Sequence, residues 1–168
     1  IIKINQKIRS WITLFRKSKS ILISIMKIQT NKTITIKNNK GNLIKLIKKS
    51  DSNFKGFGEL YLTKIKQSKI KAWKKHNKMY SNLYLISGKI EFIISTDVYK
   101  KKIFFKKYIL SEKGKNHILI PPKHVFGFRG LSKNPSMLLN FSNIIHNDNE
   151  VTNYPINFFD YKWNKDII

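Results

Sequence analysis

Almost everything beyond residue 30 consists of short apolar or alternating runs closed by turn-forming clusters. Strand-length segments are predicted at 33–36, 43–47, 59–65, 70–73, 82–86, 90–95, 103–110, 117–120 and 136–145. The breaks between them carry turn chemistry, as in Asn38-Asn39-Lys40-Gly41, Ser50-Asp51-Ser52-Asn53, Ser87-Gly88-Lys89 and Ser132-Lys133-Asn134-Pro135. No stretch in this region sustains a helical period long enough for a core helix. About nine strands without a helix to cover them must close on one another, which predicts an all-β sandwich or jelly-roll barrel.

At 168 residues, 41% of them hydrophobic, the chain has the size and apolar content of one domain with its own core. It has no cysteine, which excludes disulfides, zinc-thiolate sites and thiol nucleophiles. The formal net charge of +25 raises the question of a nucleic-acid or membrane partner. Of the 34 basic residues, however, only Arg9, Arg16 and Arg129 are arginine, and isoleucine and asparagine are abundant too. That bias is what an AT-rich genome writes at permissive positions, whereas groove and phosphate readers favour the arginine fork. No specific nucleic-acid partner is expected. The positive field still favours an anionic small molecule.

Residues 1–30 read as a basic extension, with the domain at 31–168. Ile8, Trp11, Ile12 and Phe15 fall at helical spacing among basic residues, no acid precedes Asp51, and Met26 is a candidate true start. The apolar run at 21–26 is far shorter than the ~20 residues that span a bilayer, so no transmembrane segment is expected.

The candidate site begins in the segment 70–76, where strict alternation places Ala72, Lys74 and His76 on one face and Lys71, Trp73 and Lys75 on the other. A histidine beside a lysine on an inward face loses hydration, so the pair is not a cheap core choice, although a lone histidine is by itself more often a satisfied or exposed residue than a catalyst, and it is the context that favours function. Trp73, Tyr84, Phe126 and Phe128 are expected to pack the barrel, and the aromatic segment 158–163 to cover the barrel or an interface. Asp148 and Glu150 read as solvated turn residues, with a role for one of them in orienting His76 as the lesser alternative.

Several motifs occur in a telling order: Asn39-Lys40-Gly41, Phe57-Gly58-Glu59-Leu60-Tyr61, Lys71-Ala72-Trp73-Lys74-Lys75-His76, the Gly88 hairpin, Ile120-Pro121-Pro122 with Phe126-Gly127-Phe128, and the run from Leu138 to His146-Asn147-Asp148-Asn149-Glu150. Together they resemble the dTDP-4-dehydrorhamnose 3,5-epimerase family, a metal-free cupin group acting on 4-keto nucleotide sugars, over residues 35–163. The resemblance implies a cupin jelly-roll, a homodimer, a nucleotide-sugar substrate, a cytoplasmic place in surface polysaccharide biosynthesis, and no cofactor. Metal-binding cupins carry their ligands at the positions held here by Lys74, His76, Ser81 and Phe126. Only His76 is a ligand type, so no metal is expected, since a zinc or iron site generally takes three protein ligands.

By the same resemblance, a phosphate-binding arginine falls at Lys71, which requires a bulge to reach the pocket, and a second, from the neighbouring subunit, at Lys40. The sugar-contacting pair falls near Glu59 and Tyr61. The family's histidine base falls at Lys74 and its tyrosine acid at Asn140, so His76 is the natural substitute for the base. The expected function is 3- and/or 5-epimerisation of a 4-keto-6-deoxy nucleotide sugar, with an inactive sugar-nucleotide binder or a 3,4-ketoisomerase as the alternatives.

Overall fold

A computed structural model describes residues 28–96 and 103–163, so that residues 1–27 of the basic extension, with its amphipathic stretch and Met26, lie outside the described residues. Among the described residues the chain forms twelve strands. These are β1 (Gln29–Asn31), β2 (Ile34–Asn38), β3 (Gly41–Lys45), β4 (Glu59–Ile65), β5 (Ile70–His76) and β6 (Ser81–Ser87). They continue as β7 (Lys89–Ser95), β8 (Phe105–Ser111), β9 (His117–Ile120), β10 (Val125–Gly130), β11 (Ser136–Ser142) and β12 (Val151–Asn153). The pairings are antiparallel, in two five-stranded sheets ordered β1-β9-β6-β11-β4 and β12-β5-β10-β7-β8, with β2 and β3 forming a separate hairpin. The expected all-β jelly-roll architecture is therefore the one the chain adopts.

The two sheets close on a core to which β6 gives Leu83 and Leu85, β7 gives Ile90, Phe92 and Ile94, and β10 gives Phe126 and Phe128. Each set recurs at every second residue, which is why one face of each strand vanishes from solvent. Gly88, at φ +89°, makes the β6–β7 turn, a conformation that costs glycine least.

Three strands were not predicted. β10 is masked by Gly127 and Arg129, which interrupt its apolar pattern. β12 is three residues with no periodicity of its own and forms only because β5 offers an edge, pairing Val151 with His76 and Asn153 with Lys74. β1 pairs with β9, Gln29 opposite Leu119, so the border placed after residue 30 falls inside a strand. Several bounds move by one or two residues, and two move by three: β5 runs on from Trp73 to His76, and the last long strand ends at Ser142, short of Ile145.

Beneath β1 lies a buried polar network. His117 Nε2 donates to Asn82 Oδ1 at 2.8 Å, while its Nδ1 pairs with the Asn31 amide. Asn53 Nδ2 donates to the same Asn82 oxygen at 3.0 Å, and Asn82 Nδ2 returns a bond to Asn53 O at 3.0 Å. Tyr84 stacks on the His117 ring at 4.5 Å between centroids. Burial pushes the His117 pKa down to about 4. Because this folded-state pKa lies below that of the unfolded chain, the unfolded state binds the extra proton between pH ~6.5 and 4. Stability is thus complete above pH ~6.5 and falls as the pH drops, by roughly 3 kcal/mol from this group over that window. Urea unfolding at pH 7 and pH 4.5 checks this, with a smaller difference expected in His117→Gln.

Candidate active site

The strand carrying the basic motif is irregular where it matters. Phe126 of β10 stands opposite Lys74 and Phe128 opposite Lys71, so two residues of β5, Ala72 and Trp73, face the single Gly127. This bulge resets the alternation. Lys71, Lys74 and His76 all line a pocket of about 290 Å³ between the sheets. A Cβ on Gly127 would lie 2.4 Å from Ala72 Cβ, so the crossing admits only glycine. The bulge required for Lys71 to reach the pocket is present.

The facing sheet supplies the other wall in cross-strand rows. Ser81 of β6 stands opposite Ser142 of β11, which stands opposite Glu59 of β4. In the next row Leu83, Asn140 and Tyr61 align, followed by Leu85, Leu138 and Thr63. Ser81, Asn140 and Tyr61 reach the pocket. Lys74, His76, Ser81 and Phe126, the positions that metal-binding cupins use for ligands, all line it too. Among the described residues no three His, Cys, Asp or Glu side chains are grouped to hold a metal ion.

At one end sits an ordered acid–base pair. His76 is 3% exposed and its Nδ1 donates to Glu150 Oε2 at 2.7 Å. Glu150 Oε1 accepts from the backbone N–H groups of Lys78 at 2.6 Å and Met79 at 2.8 Å. The turn after β5 therefore folds around one carboxylate, which the 3-10 turn at Asp148–Glu150 and the pairing of β12 with β5 deliver. Burial opposes ionisation of Glu150, but the Lys78 and Met79 N–H groups and His76 outweigh it and hold its pKa below the usual carboxylate range. Desolvation lowers the His76 pKa, Glu150 raises it in part, and nearby Lys74 lowers it further. The outcome is a neutral imidazole with its proton fixed on Nδ1, leaving Nε2 as the basic atom. Phe126 stacks against this ring at 5.9 Å.

On the opposite wall Asn140 Nδ2 donates to the Tyr61 hydroxyl oxygen. Burial raises the Tyr61 pKa despite that hydrogen bond, so the phenol keeps its proton at neutral pH and is free to donate it.

Of the residues singled out in the sequence, the fold gathers Lys71, Lys74, His76, Tyr61 and Asn140 at one pocket. Glu59 stands one row from Tyr61 and does not line it. Lys40 is exposed at the tip of the β2–β3 hairpin, away from its own chain's pocket. Glu150 corrects the reading of a solvated turn residue, since it is 8% exposed and holds His76. Nothing near it in sequence marks that role, because its partner is 74 positions away.

No protein-family model and no curated protein matches the chain. Solved structures do. A dTDP sugar isomerase from Desulfovibrio desulfuricans G20 superposes with a TM-score of 0.75 at 22% identity, over 81% of this chain and 90% of that one. The dTDP-4-dehydrorhamnose 3,5-epimerase of Bacillus anthracis str. Ames, solved with TDP and PPi bound, gives 0.68 at 13% identity over 79% and 81%. A sugar 3,4-ketoisomerase from Thermoanaerobacterium thermosaccharolyticum, in complex with TDP, gives 0.62 at 14% over 74% and 86%. The fold is that of the cupin-type sugar-nucleotide epimerases and isomerases. The expected likeness to the 3,5-epimerases is thereby found in structure, at the level of the fold.

Proposed function

We propose that the chain is a sugar-nucleotide isomerase of the epimerase type, acting without a metal on a 4-keto-6-deoxy nucleotide sugar. The observation that carries this reading is the buried His76–Glu150 pair at the pocket, a neutral base oriented by an anchored carboxylate. His76 Nε2 takes the proton from the carbon beside the C4 ketone, the C–H electrons move into an enolate, and Lys74 neutralises charge on the enolate oxygen. Tyr61, on the facing sheet, is the proton donor for the opposite face; solvent then reprotonates Tyr61 and takes the proton from His76, which restores both groups. Inversion requires two groups on opposite walls, and the two sheets supply them.

Lys71, exposed at the pocket, is the diphosphate contact. Lys71→Ala is expected to weaken binding of dTDP about tenfold at low salt, with a smaller difference at high salt because the contact is screened. Titration calorimetry at two salt concentrations measures it.

The protein is proposed to act as a homodimer. The β2–β3 hairpin leaves Ile34, Ile36 and Leu43 exposed, and the register puts them on one face. Burying such a face against a second copy would carry Lys40 towards the partner's pocket.

A second reading is a 3,4-ketoisomerase. It is favoured by one observation: Asn140 carries an amide, which is no proton donor for carbon, so a proton that His76 both removes and returns on one face would shift the ketone instead of inverting a centre. Incubation with dTDP-4-keto-6-deoxyglucose in D2O distinguishes the readings. Deuterium at C3 or C5 with inversion supports the epimerase, a 3-keto product supports the ketoisomerase, and no exchange removes both.

A further inference from the structure

Two buried polar atoms at the pocket are left without partners among the described residues. Ser81 is 1% and Asn140 is 5% exposed, and neither Ser81 Oγ nor Asn140 Oδ1 has a hydrogen-bond partner. Asn140 spends its Nδ2 on the Tyr61 hydroxyl, which fixes the amide so that Oδ1 remains as a pure acceptor. The two residues lie on neighbouring strands in adjacent cross-strand rows, Ser81 opposite Ser142 and Asn140 opposite Leu83. Both line the pocket together with Leu83, Leu138 and Phe128. Orphaned buried polar atoms destabilise a protein that gains nothing from them, and hydrophobic replacements would have been the cheaper packing. Neither atom has a partner in the fold, and both residues line the cavity.

We propose that Ser81 Oγ and Asn140 Oδ1 form a subsite that reads a free ring hydroxyl of the bound nucleotide sugar. Resting on the function proposed above, the inference adds what that function leaves open, namely which sugars are accepted. The hydroxyl donates to Asn140 Oδ1 and accepts from the Ser81 hydroxyl, so each orphan is satisfied once. A sugar with hydrogen in place of that hydroxyl leaves both unpaired, and a site built this way rejects the analogue more strongly than an apolar pocket rejects a missing methylene.

The test uses dTDP, dTDP-glucose and its 2-deoxy and 3-deoxy forms, which lack in turn each ring hydroxyl that a 4-keto-6-deoxy sugar keeps and none of which carries the reactive ketone, with binding measured by titration calorimetry. One deoxy form is expected to bind the unaltered protein ~10-fold or more weakly than dTDP-glucose, with that gap closing to about twofold in Ser81→Ala and in Asn140→Ala. Without ligand, Ser81→Ala is expected to melt at the same or a higher temperature, because it removes an atom the fold does not use. A fall of more than ~4 °C would show that Ser81 has a structural partner and overturns the proposal. If all deoxy forms bind within about twofold of dTDP-glucose, and dTDP-glucose binds more tightly than dTDP, the subsite fails while the nucleotide-sugar reading stands. If neither dTDP nor dTDP-glucose binds, the proposed function fails and the subsite with it.

Discussion

Replacing His76 with alanine is expected to lower deuterium exchange into a 4-keto nucleotide sugar by ~10²-fold or more, the usual scale for removing a general base. The loss falls on kcat, because the contact proposed between Lys71 and the diphosphate is untouched. Glu150→Gln separates orientation from basicity. Its amide can still accept from His76 Nδ1, but the charge that favours imidazolium formation is gone, so kcat falls less than in His76→Ala. The pH profile supplies a readout that simple loss of structure would not. Burial lowers the His76 pKa from the ordinary histidine value of 6.5, so the acid limb of kcat/KM lies below pH 6.5 and the base stays competent through neutrality. In Glu150→Gln that limb moves further towards acid, because the carboxylate is what partly restores the histidine's proton affinity. Exchange at the wild-type rate in His76→Ala would place the base elsewhere.

Trp73→Ala is expected to cost about 3–5 kcal/mol of folding stability, the range for deleting a large buried aromatic side chain. The Trp73 side chain lies on the other side of its sheet from Lys74 and His76, as strict alternation places it, and is 1% exposed. There it meets Phe105 at 4.8 Å, Trp163 at 5.2 Å, and Phe159 and Tyr161 each at 5.7 Å between centroids. Its Nε1 donates to Ile156 O at 3.0 Å, and its backbone exchanges two hydrogen bonds with Tyr154. The aromatic tail thus covers the outer face of the sheet, as one of the two roles expected for it, and Trp73 is the side chain it is built around. Losing that ring also loosens β12, whose pairing places Glu150 beside His76, so the variant is expected to lose activity as well as stability. Denaturant unfolding followed by circular dichroism measures the stability. A cost below ~1 kcal/mol would mean that the tail contributes little.

The strand segments with clean two-residue periodicity were legible without a structure. The segment 59–65 and that at 117–120 coincide with β4 and β9, because their alternation or apolar density is local information. Gly127 and Arg129 hid β10 for the opposite reason: a glycine there has meaning only once Ala72 is known to cross it. β1 and β12 are three-residue strands that exist by virtue of the edges they join. Their own residues carry no period to read.

For the site, alternation put Lys74 and His76 on one face of β5, whereas Lys71, like Asn140 and Tyr61, was marked only by the family resemblance. Asn140 and Tyr61 were each marked, although their pairing as cross-strand neighbours was not. Short-range order is written in the chain because side-chain alternation and turn chemistry act within a few residues. Glu150 as the partner of His76 and the orphaned oxygens of Ser81 and Asn140 were decided by the tertiary structure alone. Each depends on groups tens of positions apart whose energies appear only when two sheets close and water leaves.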